Sequence, residues 1–148
     1  MEFNSVATGL ELIGTSIKNI NIENNIIDLK DEAQRSFGIN IYEPSLEKRE
    51  NEFYSEIKID FKVEIGQLEE KFKMFMSLEG AFFSNGDIKE EAFMQMVGVN
   101  GAAALIGIAR GKIEAITANV FHNGKIVIPF VNVIDYYKSL NKNDRDHQ

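Results

Sequence analysis

The sequence contains no cysteine, no tryptophan and only two prolines in 148 residues. Without cysteine, the chain has no disulfides, no thiolate metal sites and no thiol nucleophile. Histidine is also scarce: His122 lies beside an Asn-Gly turn signal, His147 lies near the C-terminus, and the two do not form a metal-binding spacing. We therefore expect neither a bound metal nor a cofactor.

Positive charge is limited as well. The chain has 16 Lys and Arg residues against 23 Asp and Glu residues, which gives a net charge of −7. This balance disfavours nucleic acid and anionic membranes as partners. The N-terminus has no basic segment followed by an apolar one, and the longest uncharged stretch, residues 93–109, is short and contains Gln95 and Asn100. We expect a cytoplasmic protein in which this stretch is a buried helix.

No catalytic pattern is present. The sequence lacks a nucleophile elbow, a phosphate-binding Walker loop and a dinucleotide fingerprint. The segment Gly98-Val-Asn-Gly101 has no basic flanks, so it predicts a helix-breaking loop rather than a nucleic-acid clamp. The many carboxylates alternate with lysines, as on solvated faces. The sequence therefore predicts that the protein is not an enzyme.

Strand periodicity fills the first half of the chain. Residues 52–65 alternate apolar and polar side chains, Gly66 and Gln67 predict a turn, and residues 70–83 alternate again, which together predict a β-hairpin. Two further strands are expected at residues 15–23 and 37–42, joined by a crossover loop at residues 24–36.

Helix periodicity follows Asn85-Gly86. Asp87 is a candidate cap for a turn that ends near Val97, and a main helix is expected at residues 101–119, where Leu105, Ala109 and Ile113 form an apolar stripe. A short helix is expected at residues 133–140, followed by a polar, frayed tail at residues 141–148. Strands followed by helices predict an α+β fold, in one domain that spans residues 1–148.

Several aromatic residues do not fit a single core. Tyr54 and Phe75 lie on the polar strand faces, and Phe82-Phe83 and Tyr136-Tyr137 are adjacent pairs. Two interpretations are open. These rings, with nearby methionines, indicate either an oligomer interface or an adaptable binding groove, or they are ordinary scattered surface hydrophobes.

The order of segments resembles the SecB protein-export chaperones. Lys18-Asn-Ile-Asn-Ile-Glu23 is similar to the first-strand motif of that family, and Glu79-Gly-Ala-Phe-Phe83 is similar to the end of its fourth strand. Ile108-Ala-Arg110 resembles its Tyr-Ala-Arg helix motif, and Ile128-Pro-Phe-Val-Asn132 resembles its linker before the last helix. The resemblance covers about residues 10–140.

This resemblance implies a four-stranded antiparallel sheet with two C-terminal helices packed on one side. It also implies a homo-oligomer, a dimer or a dimer of dimers (homotetramer), in which the long helices pack together through Leu105, Gly107, Gly111 and Ile113. The implied activity is ATP-independent binding of unfolded polypeptides in apolar grooves. The peptide-binding residues would be Ile26, Ile27, Phe37, Phe82, Phe83, Phe130, Tyr136 and Tyr137.

The sequence departs from the family at the docking face for the export ATPase SecA. The family uses an Asp and a Glu on the first strand and a Leu and a Glu on the fourth. The corresponding residues here are Asn19, Glu23, Lys73 and Phe75, so Glu23 alone is retained, and docking through Glu23 and Phe75 is an expectation from resemblance. A holdase is the first hypothesis. A dedicated interaction protein, such as a chaperone that binds one antitoxin, is the second, and an enzyme or ligand carrier on this scaffold is the third.

Overall fold

The computed structural model describes residues 9–146, which form one antiparallel sheet covered on one face by helices. The strands are β1 (Leu10–Asn24), β2 (Gln34–Ile41), β3 (Glu47–Arg49), β4 (Glu52–Gln67) and β5 (Glu70–Ser84). Their order across the sheet is β1-β5-β4-β2, with β3 also paired to β4. The expected α+β class and the four long strands are confirmed, and the edges of the sheet are β1 and β2.

The β4–β5 hairpin forms the centre of the sheet. Its inward side chains, which include Ile59, Phe61, Phe72 and Met76, are buried, because alternate residues of a strand face the same layer. The predicted turn at Gly66 and Gln67 is wrong: both residues pair within the ladder, and the connection is Leu68–Glu69. Gln67 is buried because its amide binds the crossover loop, which keeps it in the strand.

The short strand β3 was not expected from the sequence. Its residues are charged, and Glu47 and Lys48 pair with Tyr54 and Phe53 of β4. Because its side chains are exposed, no apolar alternation marks it in the sequence. β3 and β2 pair with the same edge of β4. β3 pairs near the start of β4, and β2 pairs closer to its end.

The helical part is continuous, whereas the sequence predicted a short turn that ends near Val97 and a separate main helix from residue 101. Helix α1 (Glu90–Met96), a π-helical segment (Val97–Gly101) and α2 (Ala102–Ala118) follow one another without a break. The predicted loop at Gly98–Gly101 is therefore wrong, since wider helical turns carry the chain through both glycines. Asp87 is not the cap either, because the N-cap position is Lys89, which makes no side-chain cap bond.

The helical segment Glu90–Ala118 is, by length and composition, apolar enough to cross a membrane. In the structure it packs on the sheet instead, with Leu105, Ala109 and Ile113 fully buried. This is the arrangement of a core helix in a two-layer domain, and it agrees with the buried helix expected for residues 93–109.

The last helix, α3 (Val133–Asp146), is longer than expected. Asn132 caps it, since its Oδ1 accepts the N–H of Asp135 at 3.0 Å. Residues 141–146 continue the helix beyond its expected end at residue 140, and fraying of this tail stays a prediction; His147 and Gln148 lie outside the described residues.

The crossover between β1 and β2 is fastened at both ends. The Gln67 side chain accepts the N–H of Lys30 at 2.8 Å and donates to the carbonyl of Asp28 at 2.7 Å. The N–H of Leu29 donates to the carbonyl of Asn123 at 2.9 Å, in the turn that follows α2. Gly124 in that turn has φ +98°, and a Cβ there would lie 2.9 Å from the Cβ of Leu29. The linker that leads to α3 therefore starts beside the crossover.

Candidate functional site

An apolar cleft lies between strand β2 and the linker at residues 125–132. Its volume is about 120 Å³. The sheet side carries Phe37 and Ile39, which pair with Val63 and Phe61 on the helix-facing side of the sheet. The linker supplies the opposite wall, with Ile128, Pro129 and Val131. This surface, which we call the β2 cleft, is apolar and open to solvent, so it is suited to apolar side chains of another molecule.

The backbone of β2 is free along the cleft. The N–H of Ile41 donates to the hydroxyl of Tyr136 at 3.0 Å, so it points away from β4. Backbone groups of an antiparallel strand alternate in direction, so those of Ile39 and Phe37 also point outward. Among residues 9–146, no hydrogen bond from the linker reaches these two residues. The β2 cleft therefore joins an apolar surface to an unpaired strand edge.

Arg110 holds the linker against the helix. Its Nε donates to the carbonyl of Ile128 at 3.0 Å, and its guanidinium carbon lies 3.9 Å from the ring centroid of Phe130. Phe130 itself is 86% exposed and lies on the helix side of the linker, outside the cleft wall. Arg110 is thus a positioning residue that sequence reasoning did not select, although the Ile108-Ala-Arg110 motif contains it.

Tyr136 and Tyr137 anchor α3 through their hydroxyls. Tyr136 binds the end of β2, as described, and also donates to Oδ1 of Asn40 at 3.3 Å. Tyr137 donates to the carbonyl of Gly98 in the π-helical segment at 2.8 Å, and its burial raises the pKa of its phenol above the usual value. Both were expected to bind peptide. In the structure their hydroxyls bind the chain itself, which gives them a structural role, and peptide binding by their rings stays a prediction.

The other expected peptide-binding residues do not form one surface. Phe37 lines the cleft, while Ile26 and Phe82 are each 2% exposed and belong to the core, so their predicted role is wrong. Ile27 is exposed on the crossover. Phe83 pairs with Tyr54 on the face of the sheet that the helices leave open, away from the β2 cleft. Neighbouring residues in a strand face opposite layers, which separates Phe82 from Phe83.

The residues expected at the oligomer interface fall into a buried pair and an exposed pair. Leu105 and Ile113 are fully buried in the core of their own protomer, which makes them unavailable to a second chain and corrects that expectation. Gly107 and Gly111 lie on the exposed face of α2, and a Cβ at either position would contact nothing within 4 Å. The exposed face of α2 thus consists largely of small residues.

The face of the sheet that the helices leave open carries the expected docking residues. Glu23 and Phe75 line one shallow depression with Lys73, which pairs directly with Glu23. Nearby, Tyr42 donates to Asp60 Oδ2 at 2.6 Å, a hydrogen bond that raises the pKa of the Tyr42 phenol. The face is of mixed charge, and Lys73 offsets the one retained acidic residue. Within residues 9–146, no group of three or more His, Asp or Glu side chains is placed to hold a metal ion.

No protein-family model matches the sequence, and no curated protein matches it either. Two solved structures are similar in fold. One is the Mycobacterium tuberculosis Rv1957 SecB-like chaperone in complex with a ChAD peptide from the Rv1956 HigA1 antitoxin, with a TM-score of 0.56 at 10% identity over 82% of this chain and 90% of that one. The other is a protein of unknown function from Streptococcus agalactiae, with a TM-score of 0.53 at 14% identity over 84% of this chain and 100% of that one. The fold of this chain is therefore SecB-like.

Proposed function

We propose that the chain is an ATP-independent chaperone that binds apolar segments of non-native polypeptides in the β2 cleft. The observation that carries the proposal is the open apolar cleft beside an unpaired strand edge, on a SecB-like fold. The proposal gives the chain no catalytic step and no cofactor. It places the protein in the cytoplasm, where non-native chains are synthesised.

Binding would combine two interactions. Apolar client side chains would leave water in the cleft, which stabilises a complex by about 25 cal/mol per Å² buried. The client backbone would pair with the outward groups of Phe37 and Ile39, as when an extended peptide adds a strand to a sheet edge. Backbone pairing is independent of sequence, and a small cleft accepts different apolar residues. The expected specificity is therefore broad and the affinity of one site low.

Several copies in one oligomer would strengthen this binding. The small residues on the exposed face of α2, which include Gly107 and Gly111, allow close approach of a second helix. On β1, Leu12, Ile17 and Ile20 face the helix side of the sheet, yet each remains more than a third exposed. A dimer or a dimer of dimers that covers these surfaces would present several clefts to one client, which raises its avidity.

A direct test measures light scattering while a chemically denatured client protein is diluted into buffer. Wild-type protein should suppress aggregation at a few-fold molar excess. Phe37→Ala should weaken suppression, because it removes a cleft side chain. The matched control is Val127→Ala, which removes an exposed apolar side chain from the same linker but outside the cleft. No suppression by the wild-type protein would refute the proposal.

A second candidate is a dedicated partner protein on the same fold. It is favoured by one observation, the structural neighbour that was solved with an antitoxin peptide. Capture of binding proteins from a lysate of the source cell distinguishes the holdase from the dedicated partner protein. Many non-native clients support the holdase, and one stoichiometric partner supports the dedicated role.

Coupling to protein export through the ATPase SecA is a third candidate function. It rests on the resemblance of the sequence to the SecB family. Glu23 and Phe75 would be the docking residues. The pairing of Glu23 with Lys73 weakens the acidic character of that face. Binding of purified SecA tests export coupling, and no binding would refute it.

A further inference from the structure

The connection between β4 and β5 contains an exposed leucine in an unusual conformation. Leu68 has φ +55° and is 96% exposed, and it is the first of the two connecting residues. A positive φ at the first position of a two-residue hairpin connection favours glycine. A residue with a Cβ is less stable in this conformation.

Within residues 9–146, no apolar contact that would bury the Leu68 side chain compensates for this choice of residue. An isolated exposed leucine is ordinary on a protein surface, but this one also has an unfavourable backbone conformation. Its side chain is almost entirely in water, so burial within the protomer does not offset the strain. Backbone strain of this kind is often retained where the side chain has a task.

Leu68 lies beyond the end of the sheet at which β2 begins. The residue borders a depression of about 410 Å³, together with Ala33, Gln34 and Gly66. Gln34 is the first residue of β2 and pairs with Gly66, and Phe37 lies three residues further along the same edge. At about 3.3 Å per residue, an extended segment of roughly five residues would reach from Phe37 to Leu68.

We propose that Leu68 is a second apolar anchor for the extended polypeptide segment that occupies the β2 cleft. This inference rests on the proposed function, which it deepens by naming the preferred client. The client is an extended segment with one apolar residue at the cleft and another about five residues away. Polar residues are accepted between them, because Lys30 and Glu32 border the depression.

The test compares stability and binding in Leu68→Gly and Leu68→Ala. The probe is reduced and carboxymethylated α-lactalbumin, a permanently unfolded chain, labelled with a fluorophore and followed by anisotropy. Leu68→Gly should raise the midpoint of thermal unfolding, because it removes the strain, and weaken probe binding by about tenfold, as expected for loss of a partly buried leucine. Leu68→Ala keeps the backbone strain, so it should weaken binding without raising the midpoint.

The outcomes are separable. A variant that is more stable and binds the probe as tightly as wild type, while Phe37→Ala weakens binding, would overturn the anchor and leave the proposed function intact. If wild-type protein binds no probe, the proposed function fails, and the anchor fails with it. A higher unfolding midpoint together with weaker probe binding in Leu68→Gly supports the anchor. Replacing a leucine with a purely structural role would change the unfolding midpoint and leave probe binding unchanged.

Discussion

Arg110 contacts the linker at two neighbouring positions, Ile128 and Phe130. Replacing it with Ala removes the hydrogen bond to the carbonyl of Ile128 and the stacking on Phe130. Together these contacts contribute about 1–2 kcal/mol to the closed linker. We expect faster amide hydrogen exchange in residues 126–131 of the Arg110→Ala variant, measured by mass spectrometry, and weaker suppression of client aggregation.

The control for this prediction is Lys112→Ala, which removes a cation from the same helix that forms no ion pair within residues 9–146. Exchange in the linker should match wild type in that variant. Equal protection of the linker in Arg110→Ala and wild type would mean that the apolar packing of Ile128 and the hydrogen bond from the N–H of Ile126 to Oγ1 of Thr117 are enough to hold it.

Tyr137 gives the fold a dependence on alkaline pH. Burial raises the pKa of its phenol above the usual value of 10.0. The folded state therefore favours the neutral form, and the stability that this provides is complete below pH 10 and is lost as pH rises through the raised value. We expect the urea midpoint to fall above pH 10, and to fall less steeply in Tyr137→Phe. If the urea midpoint falls equally steeply with pH in wild type and in Tyr137→Phe, Tyr137 is not the cause of the alkaline loss of stability.

At the scale of elements, the packing of α2 on β5 requires a residue without a side chain at position 80. A Cβ at Gly80 would lie 2.5 Å from Cδ2 of Leu105, which is fully buried and has little space to move. Gly80→Ala should therefore destabilise the fold by about 1–3 kcal/mol, through overpacking, as measured by urea unfolding. Gly66→Ala is a suitable comparison in the same sheet, since a Cβ there meets nothing within 4 Å. If Gly80→Ala destabilises the protein no more than Gly66→Ala does, overpacking against Leu105 is not the cause.

The long strands of the sheet were predictable because one face is apolar and the other is polar. In β4, apolar and polar side chains alternate so regularly from Phe53 to Ile65 that the sequence predicts both the strand and the face that is buried. The hairpin connection was not predictable in the same way. Gly66 is a strong turn signal, yet the tertiary contacts of Gln67 keep both residues in the ladder and transfer the turn to Leu68.

The candidate site was harder to predict, because a pattern gives the face of a residue but not its neighbours. Phe37 was expected to bind peptide; it lines the β2 cleft, and peptide binding there stays a prediction. The adjacent tyrosines 136 and 137 were expected to bind peptide because the resemblance to the SecB family implies it. Their hydroxyl partners, Ile41 and Gly98, are far away in sequence, so no local signal indicates that α3 uses them as anchors.

At the scale of the whole molecule, two exposed apolar surfaces lie at opposite edges of the sheet. The β2 cleft is at one edge, and the apolar row of β1, which contains Leu12, Ile17 and Ile20, is at the other. An exposed edge strand of this length readily pairs with another chain. If β1 and α2 are covered by a second copy, the β2 cleft remains free for a client, so assembly and client binding do not compete.

This arrangement predicts how substitutions at position 107 change the size of the assembly. Gly107→Leu places a large side chain on the small-residue face of α2, which should prevent close approach of a second helix while the strand content of the protomer stays unchanged by circular dichroism. Gly107→Ala keeps the face small, and it should retain assembly and stabilise α2 by up to about 1 kcal/mol. Native mass spectrometry should give a multiple of 16.7 kDa for wild type and Gly107→Ala, and a smaller species for Gly107→Leu. An unchanged assembly in Gly107→Leu would place the interface elsewhere, with the row on β1 as the remaining surface.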